Sequence, residues 1–304
     1  MKRIVYILIL IQTCAWGQQD NLYTQFMYNP SSINPGYTGS RQVTTIFMQG
    51  REQWMGFDGS PSTKNINLQL YREQSKLGLG FDIYADALGP FDEKSLSINT
   101  SYHLQLSEEK YLGMGLQGGM SIVNLDFSSL ELYDPNDPYF ETNLQNRINP
   151  NIGVGFFYYD SSTYFGISAP RLFNTYNYEP LTSKRFRITF ENINIYLMGG
   201  HVFRLTESLR FKPAIVARYL ESQPFLINYS ASFDWQEKLS FGASYSQGVS
   251  ISTLVGVHLI DNLFIGYSYD INTGALNISN GSHEILLRFE FRSMFNKVWS
   301  DRFF

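Results

Sequence analysis

From Val43 to Phe291 the residues alternate, segment after segment, between bulky apolar side chains and small or polar ones. Ile227, Tyr229, Ala231, Phe233 and Trp235 interleave with Asn228, Ser230, Ser232 and Asp234. Leu239, Phe241, Ala243 and Tyr245 interleave with Ser240, Gly242, Ser244 and Ser246. The stretches Leu96–Leu106, Ile251–Leu259 and Ile285–Phe291 read the same way. Period two sends the two sets to opposite faces of a β-strand, whereas a helix would need a repeat near 3.6.

A soluble sandwich alternates too, with its apolar face on a second sheet. Three properties separate the cases. The segments commonly run nine to eleven residues, the span of a tilted membrane strand, where soluble strands are most often about five or six. Fourteen can be delimited: 44–51, 63–71, 76–84, 95–106, 110–126, 152–159, 163–169, 193–203, 208–219, 224–234, 238–246, 250–259, 263–272 and 283–291. An even number returns both ends of a barrel to one side. The connections also sort by parity. Arg72–Ser75, Ser107–Glu109, Asp160–Ser162, Arg204–Glu207, Trp235–Glu237 and Ile260–Asn262 are short, while Glu52–Ser62, Ala85–Lys94, Phe127–Asn151, Pro170–Asn192 and Thr273–Ser282 are long. Short turns at one end and long loops at the other are the layout of an outer-membrane barrel, long loops outside and both termini at the short-turn end.

Composition agrees. Charged residues make up 16% of the chain and aromatics 16%, against about 25% charged in a soluble domain. Tyr102, Tyr245, Tyr267, Tyr269 and Phe291 lie where interfacial aromatic girdles are expected. In hydrocarbon every backbone N–H and C=O needs an internal partner, which a closed sheet supplies. The expected fold is all-β, a transmembrane antiparallel barrel of about fourteen strands over residues 43–292, with outer-membrane lipid around it.

The ends read differently. Lys2 and Arg3 precede the apolar run Ile4–Ile11, and Ala15-Trp16-Gly17 offers small residues for cleavage before Gln18. Residues 1–17 are therefore read as a secretory signal, too short to span a membrane. Cys14 is the sole cysteine and leaves with it, so no disulfide or Cys-based metal site is expected. Without Lys2 and Arg3 the chain carries 21 basic and 27 acidic residues, a formal charge of −6, which argues against a nucleic-acid partner. Residues 18–42, broken by Asn29-Pro30 and Asn34-Pro35, are expected to be irregular, below the barrel or inside its lumen. Residues 293–304 form a C-terminal tail.

No catalytic, metal or cofactor site is expected. His103, His201, His258 and His283 fall on different strands without a nucleophile signature. Asp134-Pro135-Asn136-Asp137-Pro138 clusters oxygen ligands but lacks the spacing and turn glycine of a calcium loop. Inward-facing Arg210, Lys212, Arg218, Arg288 and Glu290 would tune an ion path or pair across the lumen.

Five spaced blocks carry more specific information. They are Gln25-Phe26-Met27-Tyr28-Asn29-Pro30; Ile33-Asn34-Pro35-Gly36-Tyr37-Thr38-Gly39-Ser40-Arg41; Arg51-Glu52-Gln53-Trp54-Met55-Gly56-Phe57-Asp58-Gly59-Ser60-Pro61-Ser62-Thr63; Leu77-Gly78-Leu79-Gly80-Phe81; and Asp86-Ala87-Leu88-Gly89-Pro90. In that order they resemble the PorP/SprF family of Bacteroidetes outer-membrane proteins, whose pattern runs Q-x-M-x-N-P, I-N-P-A-Y-A-G-S, R-x-Q-W-x-G-x-x-G-A-P-x-T, G-x-G and D-x-x-G-P. Gly36, Thr38 and Ser60 depart from it, small residue for small residue. The ending Asp301-Arg302-Phe303-Phe304 is similar to the family's aromatic tail.

The resemblance implies a component of the type IX secretion and gliding machinery, a monomeric barrel within a larger complex. It would bind or anchor secreted and surface cargo and periplasmic machinery proteins. A porin or small-solute transporter is the alternative. The matching residues Gln25, Met27, Asn29, Pro30, Asn34, Pro35, Tyr37, Gly39, Arg51, Gln53, Trp54, Gly56, Gly59, Pro61, Thr63, Gly89 and Pro90 would be structural braces or docking residues. Arg41, Arg51 and Trp54 are candidates to pin the N-terminal segment. The loops Phe127–Asn151 and Pro170–Asn192 would be exterior binding surfaces, long and rich in Tyr and Phe.

Overall fold

The computed structural model describes residues 22–129, 143–172, 193–220, 223–273 and 279–291. The signal, the tail 293–304, the Asp134–Pro138 loop and most of the two long loops lie outside them.

Fourteen antiparallel strands close into one barrel: β1 Thr44–Glu52, β2 Ser62–Arg72, β3 Leu77–Leu88, β4 Phe91–Gln105, β5 Tyr111–Leu125, β6 Leu144–Tyr159, β7 Thr163–Ala169, β8 Ile195–His201 with a continuation Phe203–Arg204, β9 Leu209–Tyr219, β10 Leu226–Trp235, β11 Leu239–Ser246, β12 Ser250–Ile260, β13 Leu263–Asn272 and β14 Ser282–Phe291. Each strand pairs with its sequence neighbours, and β1 closes on β14 from Thr44 opposite Phe291 to Glu52 opposite His283. Closure leaves no sheet edge to satisfy.

The alternation becomes two surfaces. Outward positions carry the apolar band, with Leu96, Ile98, Leu116, Phe165, Val255 and Ile285 each at least half exposed. Inward positions are buried and mostly polar, as with Asn65, Asn67 and Gln69 on β2 and Ser230, Ser232 and Asp234 on β10. An outer surface this apolar is stable only against lipid.

Two expected loops turn out to be ladder. Residues 85–94 are paired from Ala85 opposite Lys94 to Leu88 opposite Phe91, leaving only Gly89-Pro90 as the turn. Their charges read as loop, yet a strand standing above the hydrocarbon tolerates them. Within 127–151, β6 already begins at Leu144. Asn149-Pro150-Asn151 suggests a break, but Pro150 lies beyond Val154, where pairing with β7 ends. Such an edge position tolerates a residue without an N–H. The consequence is an uneven wall: β4 to β6 run 15 or 16 residues, while β7 and the main part of β8 run seven.

A threaded lumen as the candidate functional site

Residues 22–42 occupy the inside of the barrel. The two Asn-Pro steps explain their shape. A residue before proline avoids the helical region, and proline suits the first position of a helical turn. Asn29 and Asn34 are accordingly non-helical, and each opens a single 3-10 turn, Pro30–Ser32 and Pro35–Tyr37. Asn34 caps its own turn, its Oδ1 accepting from the Gly36 N–H at 2.8 Å.

The segment descends the lumen in order. At the long-loop end, the Thr24 and Gln25 N–H groups donate to the Glu284 carboxylate at 2.9 and 3.0 Å. Lower down, Asn29 Nδ2 donates to Gln49 Oε1 at 3.4 Å and Ser31 Oγ to Asn67 Oδ1 at 3.2 Å. Asn34 Nδ2 then donates to the Phe156 carbonyl at 3.0 Å, and Ser168 Oγ to that of Ile33 at 2.7 Å. His103 sits near the short-turn end, its Nε2 donating to the Thr38 carbonyl at 2.9 Å while its Nδ1 accepts from the Tyr159 hydroxyl at 2.8 Å. Arg41 pairs with Glu290 beside the start of β1. The described chain thus starts at the long-loop end and reaches the opposite mouth before β1 begins. The expectation that the chain's start lies with the short turns is corrected for these residues: strand parity orients β1 and β14 but not a segment that runs back up the lumen.

Glycines make the seat. A Cβ at Gly78 would lie 2.0 Å from the Thr38 carbonyl oxygen, one at Gly113 2.2 Å from that of Gly36, and one at Gly115 2.2 Å from the Pro35 carbonyl carbon. These contacts are with backbone, which cannot rotate away. The G-x-G of Gly78 and Gly80 is therefore a bed for the segment. Gly39 has φ +78° and lies against Gly78, with its N–H donating to Gln69 Oε1 at 3.1 Å.

Apolar and ionic contacts lock it. Phe26, Met27, Tyr28 and Tyr37 are buried among inward-facing Phe47, Phe157, Tyr164, Leu254, Phe264 and Leu286. Tyr37 meets Phe157 edge-on at 5.2 Å between ring centroids, and Tyr28 meets Phe264 at 4.8 Å. Arg51 bridges Asp270 at 2.6 Å and Glu284 at 2.9 Å and donates to Thr24 Oγ1 at 2.8 Å. At the other end Arg288 contacts Glu290 at 3.3 Å and covers the Phe264 ring at 4.8 Å. Lys212 pairs with Asp234 at 2.6 Å, Arg210 with Glu237, and Arg218 donates to Gln223 at 2.8 Å. These inward basic residues, expected either to tune an ion path or to pair, are thus each engaged with a polar partner.

The sequence motifs resolve into two places. Gln25, Met27, Asn29, Pro30, Asn34, Pro35, Tyr37, Gly39 and Arg51 meet in the lumen. Gln53, Trp54, Gly56, Gly59, Pro61, Thr63, Gly89 and Pro90 meet at the long-loop rim. There the Gln53 N–H donates to the Pro61 carbonyl and the Gly89 N–H to that of Gly59, at 2.9 and 2.8 Å. Thr63 Oγ1 donates to Asp86 at 2.6 Å, and the Trp54 N–H to Ser282 Oγ at 3.2 Å. Trp54, with φ 49°, belongs to this rim and not to the lumen segment it was expected to pin. Beyond Pro90, Asp126 accepts from the Ser128 hydroxyl and N–H and from Asn143 Nδ2, bonds that hold its carboxyl below the ordinary range.

The inward aromatics Phe47, Phe157, Tyr159, Tyr164 and Phe264 were not anticipated. The available signal was failed alternation. Phe47 lies between Ile46 and Met48, Phe264 between Leu263 and Ile265, and Phe156-Phe157-Tyr158-Tyr159 is an unbroken run. Where both faces are apolar, something apolar covers the lumen side. Among the described residues no group of His, Cys, Asp and Glu is arranged to hold a metal ion.

Several solved barrels resemble the chain in outline. The outer membrane protein Omp33 of Acinetobacter baumannii aligns at 7% identity and a TM-score of 0.48, over 82% of this chain and 99% of its own. The CymD monoaromatic hydrocarbon channel aligns at 12% and 0.48, over 91% and 95%. The NanC porin aligns at 7% and 0.43, over 83% and 100%. No individually curated protein matches the chain. A family model described as "Type IX secretion system membrane protein PorP/SprF" matches residues 15–289. With that match spanning the lumen segment, both motif clusters and all but the end of the last strand, the chain belongs to the PorP/SprF family of type IX secretion system membrane proteins.

Proposed function

We propose that this barrel is a closed outer-membrane platform of the type IX secretion machinery. Secreted or surface-attached cargo binds at its long-loop rim, and periplasmic machinery proteins are held at its short-turn rim. The observation that carries the reading is the occupied lumen. A solute path would have to pass a segment seated against strand backbone, tied at one end by a buried ion pair and at the other by hydrogen bonds to a buried carboxylate. Surfaces for partners then remain at the two rims, and the uneven wall of β4 to β6 enlarges one of them. The chemistry is recognition, with no bond made or broken.

Planar bilayers provide the test. The purified wild-type barrel is expected to give no stable conductance steps. A strain lacking it should lose secretion or surface attachment of a client protein while taking up small solutes normally. Stable open steps, together with unchanged secretion in the deletion strain, would replace this reading with a porin.

A further inference from the structure

The outward face of β2 to β4 carries two lysines that take no part in the lumen contacts. Lys64 and Lys94 are exposed, each next to an inward residue that is buried, Thr63 and Glu93. Lys64 is opposite Ala85, and Ala85 is opposite Lys94. The two lysines therefore stand two strands apart in one row, about 10 Å between backbones, with a methyl group between them. Long flexible ammonium chains at that spacing converge over the small residue.

The row lies at a boundary. One step toward the barrel middle the outward residues are Ile66, Ile83 and Leu96, all strongly exposed apolar groups that require lipid. One step toward the rim they are Ser62, Ala87 and Asp92, with Glu52 beside Ser62. Asp92 contacts Lys94 at 3.2 Å with both side chains open to solvent, and Glu52 accepts from Ser62 Oγ at 2.7 Å. Two cations on an apolar floor, at the end of the barrel with the long loops, match a lipid whose headgroup is anionic and whose chains lie against the wall. Ammonium groups bind phosphate as point charges, and each lysine near a membrane surface adds to the attraction for anionic headgroups.

We propose that Lys64 and Lys94 clasp a phosphate of an outer-leaflet glycolipid over Ala85, with acyl chains along Ile83 and Leu96. Full-length protein in nanodiscs, titrated with diphosphoryl lipid A and read by native mass spectrometry, tests this. Lys64→Gln with Lys94→Gln should weaken binding by about tenfold or more, while Lys64→Arg with Lys94→Arg retains it. Both positions face outward, so the variants should keep the wild-type heat-dependent gel mobility. Dephosphorylated lipid should bind the wild type no better than the diphosphoryl lipid binds the glutamine variant. Equal binding by wild type and the glutamine variant, or by phosphorylated and dephosphorylated lipid, would overturn the proposal. So would phosphatidylglycerol matching the glycolipid in the same titration.

Discussion

Arg51→Ala is expected to release the N-terminal segment from the long-loop end of the lumen. The guanidinium satisfies three groups together: Asp270, Glu284 and the Thr24 hydroxyl. All three side chains are buried. Alanine would leave two buried carboxylates facing each other without a cation. Removing one partner of a buried ion pair typically costs about 3–5 kcal/mol, more than a hundredfold in an opening equilibrium at about 1.4 kcal/mol per tenfold. Release of the segment lets water reach the two carboxylates, which relieves much of that cost at the expense of the Thr24 and Gln25 hydrogen bonds to Glu284. Limited proteolysis of the folded barrel reads it directly. Wild type should resist cleavage between Tyr23 and Asn29, and Arg51→Ala should be cut there while the strands stay intact. Arg51→Lys keeps one charge but cannot span both carboxylates, and should fall between them. If Arg51→Ala were as resistant as wild type, the ion cluster would not be what holds the segment.

Gly115→Ala attacks the same segment without touching a charge. The new methyl carbon would lie 2.2 Å from the Pro35 carbonyl carbon and 2.3 Å from the Gly36 nitrogen, both backbone atoms. Overpacking a well-packed interior costs about 1–3 kcal/mol, and here neither side can change rotamer. The turn Pro35–Tyr37 is expected to lift, taking Tyr37 off Phe157 and the Thr38 carbonyl off His103. Gly118→Ala is the matched control. It lies three residues along the same strand, and a Cβ there meets nothing within 4 Å. In planar bilayers Gly115→Ala should show current steps where wild type and Gly118→Ala are silent. Silence from all three would mean that the glycines do not form the seat.

Much of the barrel was legible in the sequence because lipid imposes a local rule. Outward residues within the hydrocarbon are mostly apolar whatever their distant partners, so Ile98 or Val255 declares its face from its immediate neighbours. The lumen imposes no such rule. Thr24 meets Asp270 and Glu284 across 246 and 260 residues of sequence, a pairing that no periodicity records. Gly78, Gly113 and Gly115 read as weak strand residues, and only the backbone lying against them explains why a side chain is excluded. The five ordered blocks identified the family without revealing their division of labour between lumen and rim. Residues 85–94 misled for a different reason: Asp86, Asp92, Glu93 and Lys94 resemble loop composition, yet cross-strand pairing above the membrane favours polar side chains equally. The ladder there ends only at Gly89, where φ is +52°.

The segment runs through the lumen from the long-loop mouth at Leu22 to the short-turn mouth at Gln42. Leu22 and Gln42 are both partly accessible, and Cys14, the sole cysteine, lies in the expected signal. Single cysteines can therefore be placed at either end without background in the mature chain. In intact cells a membrane-impermeant maleimide should label Leu22→Cys and leave Gln42→Cys unlabelled until the outer membrane is opened. Labelling of Leu22→Cys only after opening, alongside Gln42→Cys, would place both ends of the segment at the periplasmic mouth and contradict the threaded lumen.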